Sequence, residues 1–498
     1  MIELDVVEGA ATAQEGDALL LLVGSRQIPD LLSRTSILAE DAGRREAVTL
    51  LAGHGLVAAR WLVLAGLGDG PVDAETCRRA AGAAVKAVRE RQVRRFVVDA
   101  SGLSSAMDDL LAAQVQALIE GALSADYDFD RYRTRRPRHR PLAHLRLVAP
   151  PGLSAVATTA ARRGRAVAQA VNAARDVCNE PPNRLKPVDF AARIEALASD
   201  PRLTVTTLDR AAIEAEGMGA LLAVAQGSHA EPRFVRADYR PAGVEKDAPP
   251  LVLVGKSVTF DTGGISLKPA LDMERQKADM GGGAAVFGAL TALLALDLPL
   301  AVTALFPIVE NMPGGGATRP GDVVSTRSGQ TVEILNTDAE GRLILADALN
   351  YARSLNPCAI IDLATLTGAS SIVFGPVGIG MFATDTALAD AFGRAEATAG
   401  ERVWRLPLWP EYRDLLRSHV ADLRNISTTV QQGSMMTAAS FLHAFIGTEP
   451  WVHLDIYNTA WNEAEHPHVP RGPTASGTRL LVQFLIEQAG SSARGIEG

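Results

Sequence analysis

The sequence predicts an α/β protein of two domains, the second larger than the first. In both halves short apolar runs alternate with helical patterns, which is typical of α/β domains. The alternation lapses between about residues 125 and 142, and a small-residue helical pattern follows at 151–178. With 498 residues, 47% of them hydrophobic, the chain is too long for one core. We therefore predict an N-terminal domain at 1–165 and a C-terminal domain at 166–498.

The apolar runs give the predicted strands. In the first half they are 18–24, 60–68, 94–101 and 145–150, with a helical pattern at 74–91. In the second half they are 203–209, 250–261, 300–310, 358–368 and 451–456. We predict that the second series forms a central mixed sheet, mostly parallel. Because open α/β sheets bind ligands beyond the carboxyl ends of their strands, we expect the functional site there.

Composition and charge narrow the function classes. The net charge of −8 argues against nucleic acid as the main partner, although 131–141 (RYRTRRPRHRP) is a basic segment, interpreted as a solvated linker. No apolar run approaches the roughly 18 residues that cross a bilayer, and no signal-peptide pattern is present, so we expect a cytoplasmic protein with no membrane contact. Cys77, Cys178 and Cys358 lie far apart without CxxC spacing, which predicts reduced side chains rather than disulfides.

The octapeptide 336–343 (NTDAEGRL) carries Asp338, Glu340 and Arg342 at alternate positions. If its backbone is extended, the three side chains point to one side. The two carboxylates would then repel each other unless a cation or ligand neutralised them. By itself, the octapeptide is explained more simply by a salt-bridged strand end.

Two further motifs, GKSVTFDTGGISLKP and QKADMGGGAAVFG, add charged residues to the same half of the chain. They supply Lys256, Asp261, Lys268 and Asp279. Each has a plain structural explanation, such as a strand-end lysine, a turn aspartate, a loop charge or a helix N-cap. With the octapeptide, however, they bring four carboxylates to strand ends and Gly-rich loops of one domain. Converging carboxylates cannot all stay ionised without positive charge of similar size.

A two-metal site explains this grouping best. Two divalent ions about 3.5–4 Å apart can share carboxylates, polarise a carbonyl and lower the pKa of a water molecule, which is equipment for hydrolysis. Oxygen ligands favour Mg²⁺ or Mn²⁺, and a deprotonated lysine ligand shifts the preference toward a borderline metal. A two-metal phosphohydrolase is one alternative. A non-enzymatic structural or nucleic-acid-binding role is another.

These motifs, together with ENMP, RPGDVV, ATLTGA and HLDI, resemble the leucyl (cytosol) aminopeptidase family of two-metal metallopeptidases. The resemblance covers nearly all of 170–490, and the N-terminal part resembles more loosely the smaller macro-like α/β domain of the family. It implies a metal-dependent aminopeptidase that releases leucine-type and other first residues from peptides with a free N-terminus. It also implies a cytoplasmic homohexamer.

The resemblance implies a set of metal ligands. Asp261 and Glu340 would bridge two Zn²⁺ or Mn²⁺ ions. Lys256 and Asp279 would complete the tighter site, and Asp338 the more exchangeable one. The free α-amino group of a substrate would bind a metal and Asp279, which restricts cleavage to the first residue.

The remaining roles concern the reacting groups and the cleft. Lys268 would polarise the peptide carbonyl, and Arg342 would hold a bicarbonate ion that acts as general base. Thr365, Leu366 and Gly368 would line the cleft, partly through backbone groups.

The sequence departs from the family pattern at a few positions around these residues. Gln276 stands where an apolar methionine is usual, and Ser257, Tyr457 and Asn458 stand where glycine, alanine and glycine are usual. A polar amide in the pocket for the first side chain would weaken the burial of leucine. We therefore predict a broad or shifted first-residue preference.

Overall fold

A computed structural model describes residues 2–24, 39–103, 108–135, 140–427 and 433–494. They form two compact units. The first unit consists of Met1–Asn172, Ala397–Gly400 and Glu463–Arg471, and the second of Ala173–Glu396, Glu401–Asn462 and Gly472–Gly498. The boundary predicted at 165/166 falls inside the helix Ser154–Asn179, and as a folding boundary it stays a prediction.

The first unit contains a six-stranded sheet within its described residues. The strands are β1 (Glu3–Val7), β2 (Ala18–Gly24), β3 (Val48–Ala52), β4 (Trp61–Gly68), β5 (Arg95–Asp99) and β6 (His144–Val148). The helices are α1 (Ala39–Gly43), α2 (Ala74–Val88), α3 (Asp108–Ala125) and α4 (Ser154–Asn179). The order is β1-β6-β5-β2-β4-β3, and every neighbouring pair is parallel except β3 with β4. The central strand β2 is apolar throughout because both its faces are buried.

A buried ion-pair network stabilises this unit around Arg78 of α2. Its side chain is fully buried, and its Nε donates to Glu120 Oε2 at 2.9 Å and its Nη1 to Glu75 Oε2 at 2.6 Å. The third donor, Nη2, bonds the carbonyl oxygen of Thr398 at 2.7 Å. Thr398, from the second half of the sequence, therefore completes the hydrogen bonding of the buried Arg78 in the first half.

The second unit contains a nine-stranded sheet among its described residues. Strands of this unit are β7 (Leu203–Leu208), β8 (Arg233–Tyr239), β9 (Leu251–Gly255), β10 (Ser257–Asp261), β11 (Val302–Asn311), β12 (Asp322–Ser325), β13 (Thr331–Ile334), β14 (Ala359–Ala364), β15 (Ile379–Ala383), β16 (Val403–Arg405), β17 (Leu423–Arg424), β18 (Trp451–Asp455), β19 (Trp461–Asn462) and β20 (Gly472–Pro473). Helices are α5 (Pro187–Glu195), α6 (Arg210–Ala215), α7 (Gly219–Ala225), α8 (Gly281–Leu296), α9 (Gly341–Arg353), α10 (Ala369–Phe374), α11 (Thr386–Ala399), α12 (Pro410–Asp414), α13 (Ser434–His443) and α14 (Thr478–Arg494).

The large sheet is mixed, as predicted. Its order is β16-β15-β18-β14-β9-β11-β8-β7, with β10 paired to β11. Strands β18, β14, β9 and β11 run parallel at the centre, whereas β15, β8 and β7 each join an antiparallel pair. Strand β9 ends just before Lys256, β14 just before Thr365, and β18 at Asp455. The carboxyl ends of the central strands therefore carry the charged motifs on one edge.

Helix α8 begins at that edge and packs closely on the strands. A Cβ atom added to Gly282 would lie 1.9 Å from the carbonyl oxygen of Leu363, so only glycine permits this approach. The segment Met273–Leu296, which contains α8, is long and apolar enough to cross a membrane, but 78% of its most apolar window is buried inside the fold. It is a core helix that holds the preceding loop against the sheet.

Candidate active site

Lys256 is the centre of one half of the site. It lies between β9 and β10 and is 3% exposed, so it is not a surface lysine. Its Nζ lies 2.7 Å from Asp279 Oδ1 and 2.8 Å from Glu340 Oε1, and it donates to the carbonyl oxygen of Thr365 at 2.7 Å. Burial alone would lower the pKa of this ammonium, but the two carboxylates outweigh it and raise the pKa.

Asp279 does not cap helix α8, the plain explanation considered from the sequence. Met280 is the residue at the N-cap, and Asp279 directs its Oδ1 to Lys256 and to the hydroxyl of Thr365, which donates at 2.8 Å. Its other oxygen, Oδ2, is buried and accepts no hydrogen bond within the described part of the chain. Burial raises the pKa of Asp279 well above its ordinary value.

Lys268 is the centre of the other half of the site, as Lys256 is of the first. Its Nζ lies 2.7 Å from Asp261 Oδ2 and also contacts Asp338 Oδ1. Burial and the neighbouring charge of Glu340 raise the pKa of Asp261 to about 6. Burial also raises the pKa of Asp338, whereas for Glu340 the two lysines outweigh burial and lower the pKa. The carboxyl groups thus differ in proton affinity according to their cationic neighbours.

The octapeptide 336–343 is not an extended strand. The extended conformation was wrong, because Asp338 lies in a turn and Glu340 adopts helical angles of φ −78° and ψ −35° immediately before α9. The backbone N–H of Asp338 donates to Asn336 Oδ1 at 2.9 Å, which stabilises the turn. A Cβ added to Gly341 would lie 2.6 Å from Lys256 Cε, so the start of α9 packs directly on that lysine. A turn followed by a helix therefore brings the two carboxylates together.

Arg342, in the first turn of α9, is 6% exposed. Its Nη1 donates to the carbonyl oxygen of Asn425 at 2.9 Å, and its buried Nε has no acceptor within the described residues. Burial lowers the pKa of this guanidinium to about 10, against the opposing effects of Glu340 and Asp455. A buried cation with an unpaired donor is suited to binding an anion.

Thr365, Leu366 and Gly368 belong to one connection, 365–368, between β14 and α10, which we call the cleft loop. Thr365 contacts the charged cluster through both its hydroxyl and its carbonyl group. Gly368 lies beside the ring of Tyr457, since an added Cβ would be 3.9 Å from its Cε1. Of the residues predicted to line a cleft, Thr365 therefore adjoins the predicted metal ligands, whereas Leu366 bonds Asp455 and Gly368 lies beside Tyr457.

Sequence reasoning missed Asn425, which is fully buried and holds the octapeptide in place. Its Nδ2 donates to the carbonyl oxygen of Asn336 at 2.6 Å, and its Oδ1 accepts from the N–H of Leu335 at 2.8 Å. Its own carbonyl group accepts from Arg342. Nothing near it in the sequence signals these contacts.

The residues present fit divalent cations. Asp261, Asp338 and Glu340 each offer a carboxylate oxygen, and these oxygens all lie within 4.8 Å of one another. With Asp279, four carboxylates face two ammonium groups, which leaves an excess of negative charge. The unpartnered Oδ2 of Asp279 supplies a further buried lone pair for a cation.

Comparison with known proteins gives the family. Residues 172–482 match the model of the cytosol aminopeptidase family, catalytic domain, and residues 27–136 match the model of its N-terminal domain. A probable cytosol aminopeptidase of Roseiflexus castenholzii is 45% identical over 95% of this chain and 98% of its own length. One from Geobacter sulfurreducens is 42% identical over 94% of this chain and 90% of its own length.

Two solved enzyme structures have the same fold as this chain. The bottromycin maturation enzyme BotP in complex with Mn superposes with a TM-score of 0.85 at 36% identity, over 96% of this chain and 100% of BotP. A mutant of tomato leucine aminopeptidase superposes with a TM-score of 0.87 at 28% identity, over 98% of this chain and 97% of the tomato protein. The chain therefore belongs to the cytosol aminopeptidase family, and it is a metal-dependent hydrolase that removes amino acids from the N-termini of peptides.

Proposed function

We propose that the protein releases leucine-type and other N-terminal residues at a site holding two divalent ions, Zn²⁺ or Mn²⁺. The observation that carries this proposal is the cluster of four carboxylates, of which Asp261, Asp279 and Glu340 are buried, with the unpartnered Asp279 Oδ2 among them. Asp261 and Glu340 would hold both ions. Lys256 and Asp279 would complete one site, and Asp338 the other.

When bound, two such ions supply charge neutralisation, polarisation of the scissile carbonyl and a water of lowered pKa. Lys256 can act as a ligand only if it gives up its proton, and its contacts with Asp279 and Glu340 hold that proton. Lys256 would therefore have to lose this proton to serve as a ligand, which an adjacent divalent charge would favour. Because BotP was solved in complex with Mn, Mn²⁺ is the first metal to test.

The remaining charged residues would act on the substrate. Lys268 is 19% exposed at its side chain, and its ammonium would donate to the carbonyl oxygen as negative charge develops there. The carboxylate of Asp279 would receive the free α-amino group, which a blocked N-terminus cannot provide. Arg342 would hold bicarbonate, which supplies a general base. The cleft loop would carry the first residue.

The same relatives support two broader proposals. They are named as cytosol aminopeptidases, and we propose that this chain is cytoplasmic. We also propose a homohexamer, on the family resemblance; light scattering of the purified protein tests it.

The basic segment 131–141 lies partly outside the described residues, because 136–139 are not among them.

Hydrolysis of leucine amide and of N-acetyl-leucine amide tests the proposed reaction. Purified protein is assayed as isolated, after chelation, and after addition of Zn²⁺ or Mn²⁺. We expect activity on the free amine alone, lost on chelation and restored by metal. Equal activity on the acetylated substrate would contradict the role of the α-amino group, and activity that survives complete chelation would contradict the metal site.

Gln276 is expected to set the first-residue preference. It lies in the 3-10 helix Met273–Ala278, three residues before Asp279, and is half-buried. Gln276→Met should raise kcat/KM for leucine amide by about 5- to 30-fold, because removing a polar amide from an apolar pocket is worth about 1–2 kcal/mol. Leucine, methionine, alanine and arginine amides are compared in wild type and variant.

The control for that comparison is Gln330→Met, which places the same change on the β12–β13 connection, where Gln330 bonds Ser328 and Ala444. This control should leave the order of the four amides unchanged. A wild-type rate on leucine far above the other three would refute the predicted shift.

A further inference from the structure

Asp455 is a buried carboxylate that the proposed chemistry does not use. It ends β18 and is 1% exposed. Its Oδ1 accepts from the backbone N–H groups of Leu366 at 3.2 Å, Thr367 at 3.4 Å and Tyr457 at 3.3 Å. Its Oδ2 accepts from the hydroxyl of Thr367 at 2.5 Å. Three of these four donors belong to two consecutive residues of the cleft loop.

The cleft loop is thus held from two sides. On one side Lys256 and Asp279 bind Thr365, so the start of the loop follows the charged cluster. On the other side Asp455 binds the next two residues. The adjacent strands support this second attachment, because Ala364 pairs with Asp455 in the β14–β18 register.

The bonds to Asp455 also fix the direction of the loop's carbonyl groups. A peptide unit is planar, so anchoring the N–H of Thr367 fixes the carbonyl of Leu366 on the opposite side. That carbonyl oxygen accepts no hydrogen bond within the described part of the chain. It is available to a donor on a substrate.

We propose that Asp455 is the positioning residue of the cleft loop, and that its carboxylate holds the loop backbone in the orientation that binds the first residues of a peptide. This role rests on the proposed function. Asp455 does not contact the reacting atoms in this scheme. It acts through Leu366 and Thr367, so its removal should weaken substrate binding more than it slows the chemical step.

Asp455→Asn tests the role, because it retains the shape but removes the charge and one acceptor. Because the carboxylate holds the loop through charge-assisted hydrogen bonds, we expect KM for leucine amide to rise on the order of 10-fold or more. The turnover number should fall by less than KM rises, since the hydrogen bonds of Arg342 and of the metal ligands go to other residues and only the charge of Asp455 acts on Arg342. Bound metal, measured by mass spectrometry, should be unchanged.

Asp362→Asn is the matched control. Asp362 is as deeply buried in the neighbouring strand β14, but its carboxylate binds Trp451 Nε1 at 2.7 Å and His453 Nδ1 at 2.6 Å within the sheet rather than the cleft loop. Both variants lose a buried carboxylate, and both should melt at a lower temperature. Only the Asp455 variant should show the higher KM.

Thr367 provides a test that does not depend on the folding of the Asp455 variant. Thr367→Val removes only the hydrogen bond from the hydroxyl to Asp455 Oδ2 and should raise KM several-fold. Thr367→Ser keeps the hydroxyl and should have a KM close to that of the wild type. A KM that is unchanged in Thr367→Val, or one that rises equally in Asp362→Asn, overturns the assignment. Wild-type protein that retains metal and hydrolyses no amide would instead overturn the proposed function itself.

Discussion

Glu340→Gln is expected to lower kcat by at least about 10³-fold, since a metal ion contributes several kcal/mol to catalysis. Bound metal should fall as well. Glu340 is 2% exposed, and its carboxylate is shared between Lys256 and the cluster of acidic oxygens. Glutamine preserves the shape and removes the charge, so the site attracts cations less. The measurements are turnover of leucine amide and metal content per subunit.

The control for this change is Glu333→Gln. Glu333 lies on β13, seven positions before Glu340, and its carboxylate accepts from Ser418 at 2.6 Å without approaching the cluster. We expect wild-type turnover and metal content in the control. A Glu340 variant that loses turnover but keeps its full metal content would show that the carboxylate is not a ligand.

Arg342→Ala is expected to slow turnover by about 10²- to 10⁴-fold, the usual contribution of a general base, while bound metal stays at the wild-type level. Loss of the guanidinium removes the buried cation proposed to hold bicarbonate. In buffer freed of carbon dioxide, added bicarbonate should stimulate the wild type and have no effect on the variant. Arg342→Lys keeps a point charge and should recover part of the rate.

Arg353→Ala is the matched control, because Arg353 is the last residue of the same helix, α9, and pairs with Glu449 instead. It should respond to bicarbonate as the wild type does. Loss of metal in Arg342→Ala would contradict the proposed role of Arg342. It would show that the guanidinium supports the metal ligands instead of holding bicarbonate.

Most of the long apolar runs were predictable as strands, and so was the alternating strand β7, but short strands and strands that charged residues interrupt were missed. The run at 18–24 became β2, which is apolar because both its faces are buried, and the run at 451–456 became β18, whose buried His453 and Asp455 are hydrogen-bonded. Strand β8 (Arg233–Tyr239) was missed, because its arginines and aspartate interrupt the run even though it pairs with β7 and β11. A search for apolar runs overlooks a strand such as β8 that charged residues interrupt.

The charged cluster was predictable from motifs, but the residues that support it were not. Lys256 and Asp279 lie together because each follows a strand or precedes a helix at the same sheet edge. Asn425 binds the octapeptide from 89 positions away, and Asp455 binds Leu366 from the same separation. Asp455 belongs to the HLDI motif, yet its role depends on which strand is adjacent to β18. Sequence spacing carries no information about that pairing.

The bond between Arg78 and Thr398 has a consequence for biosynthesis. A ribosome makes Thr398 long after Arg78, since the two are 320 positions apart. Until then the arginine has its two glutamate partners but lacks this carbonyl acceptor, and its Nη2 pairs with Glu120 alone. Final consolidation of the N-terminal unit therefore waits for the chain's second half, so separate expression of residues 1–165 should yield a less stable product than the same residues within the whole protein.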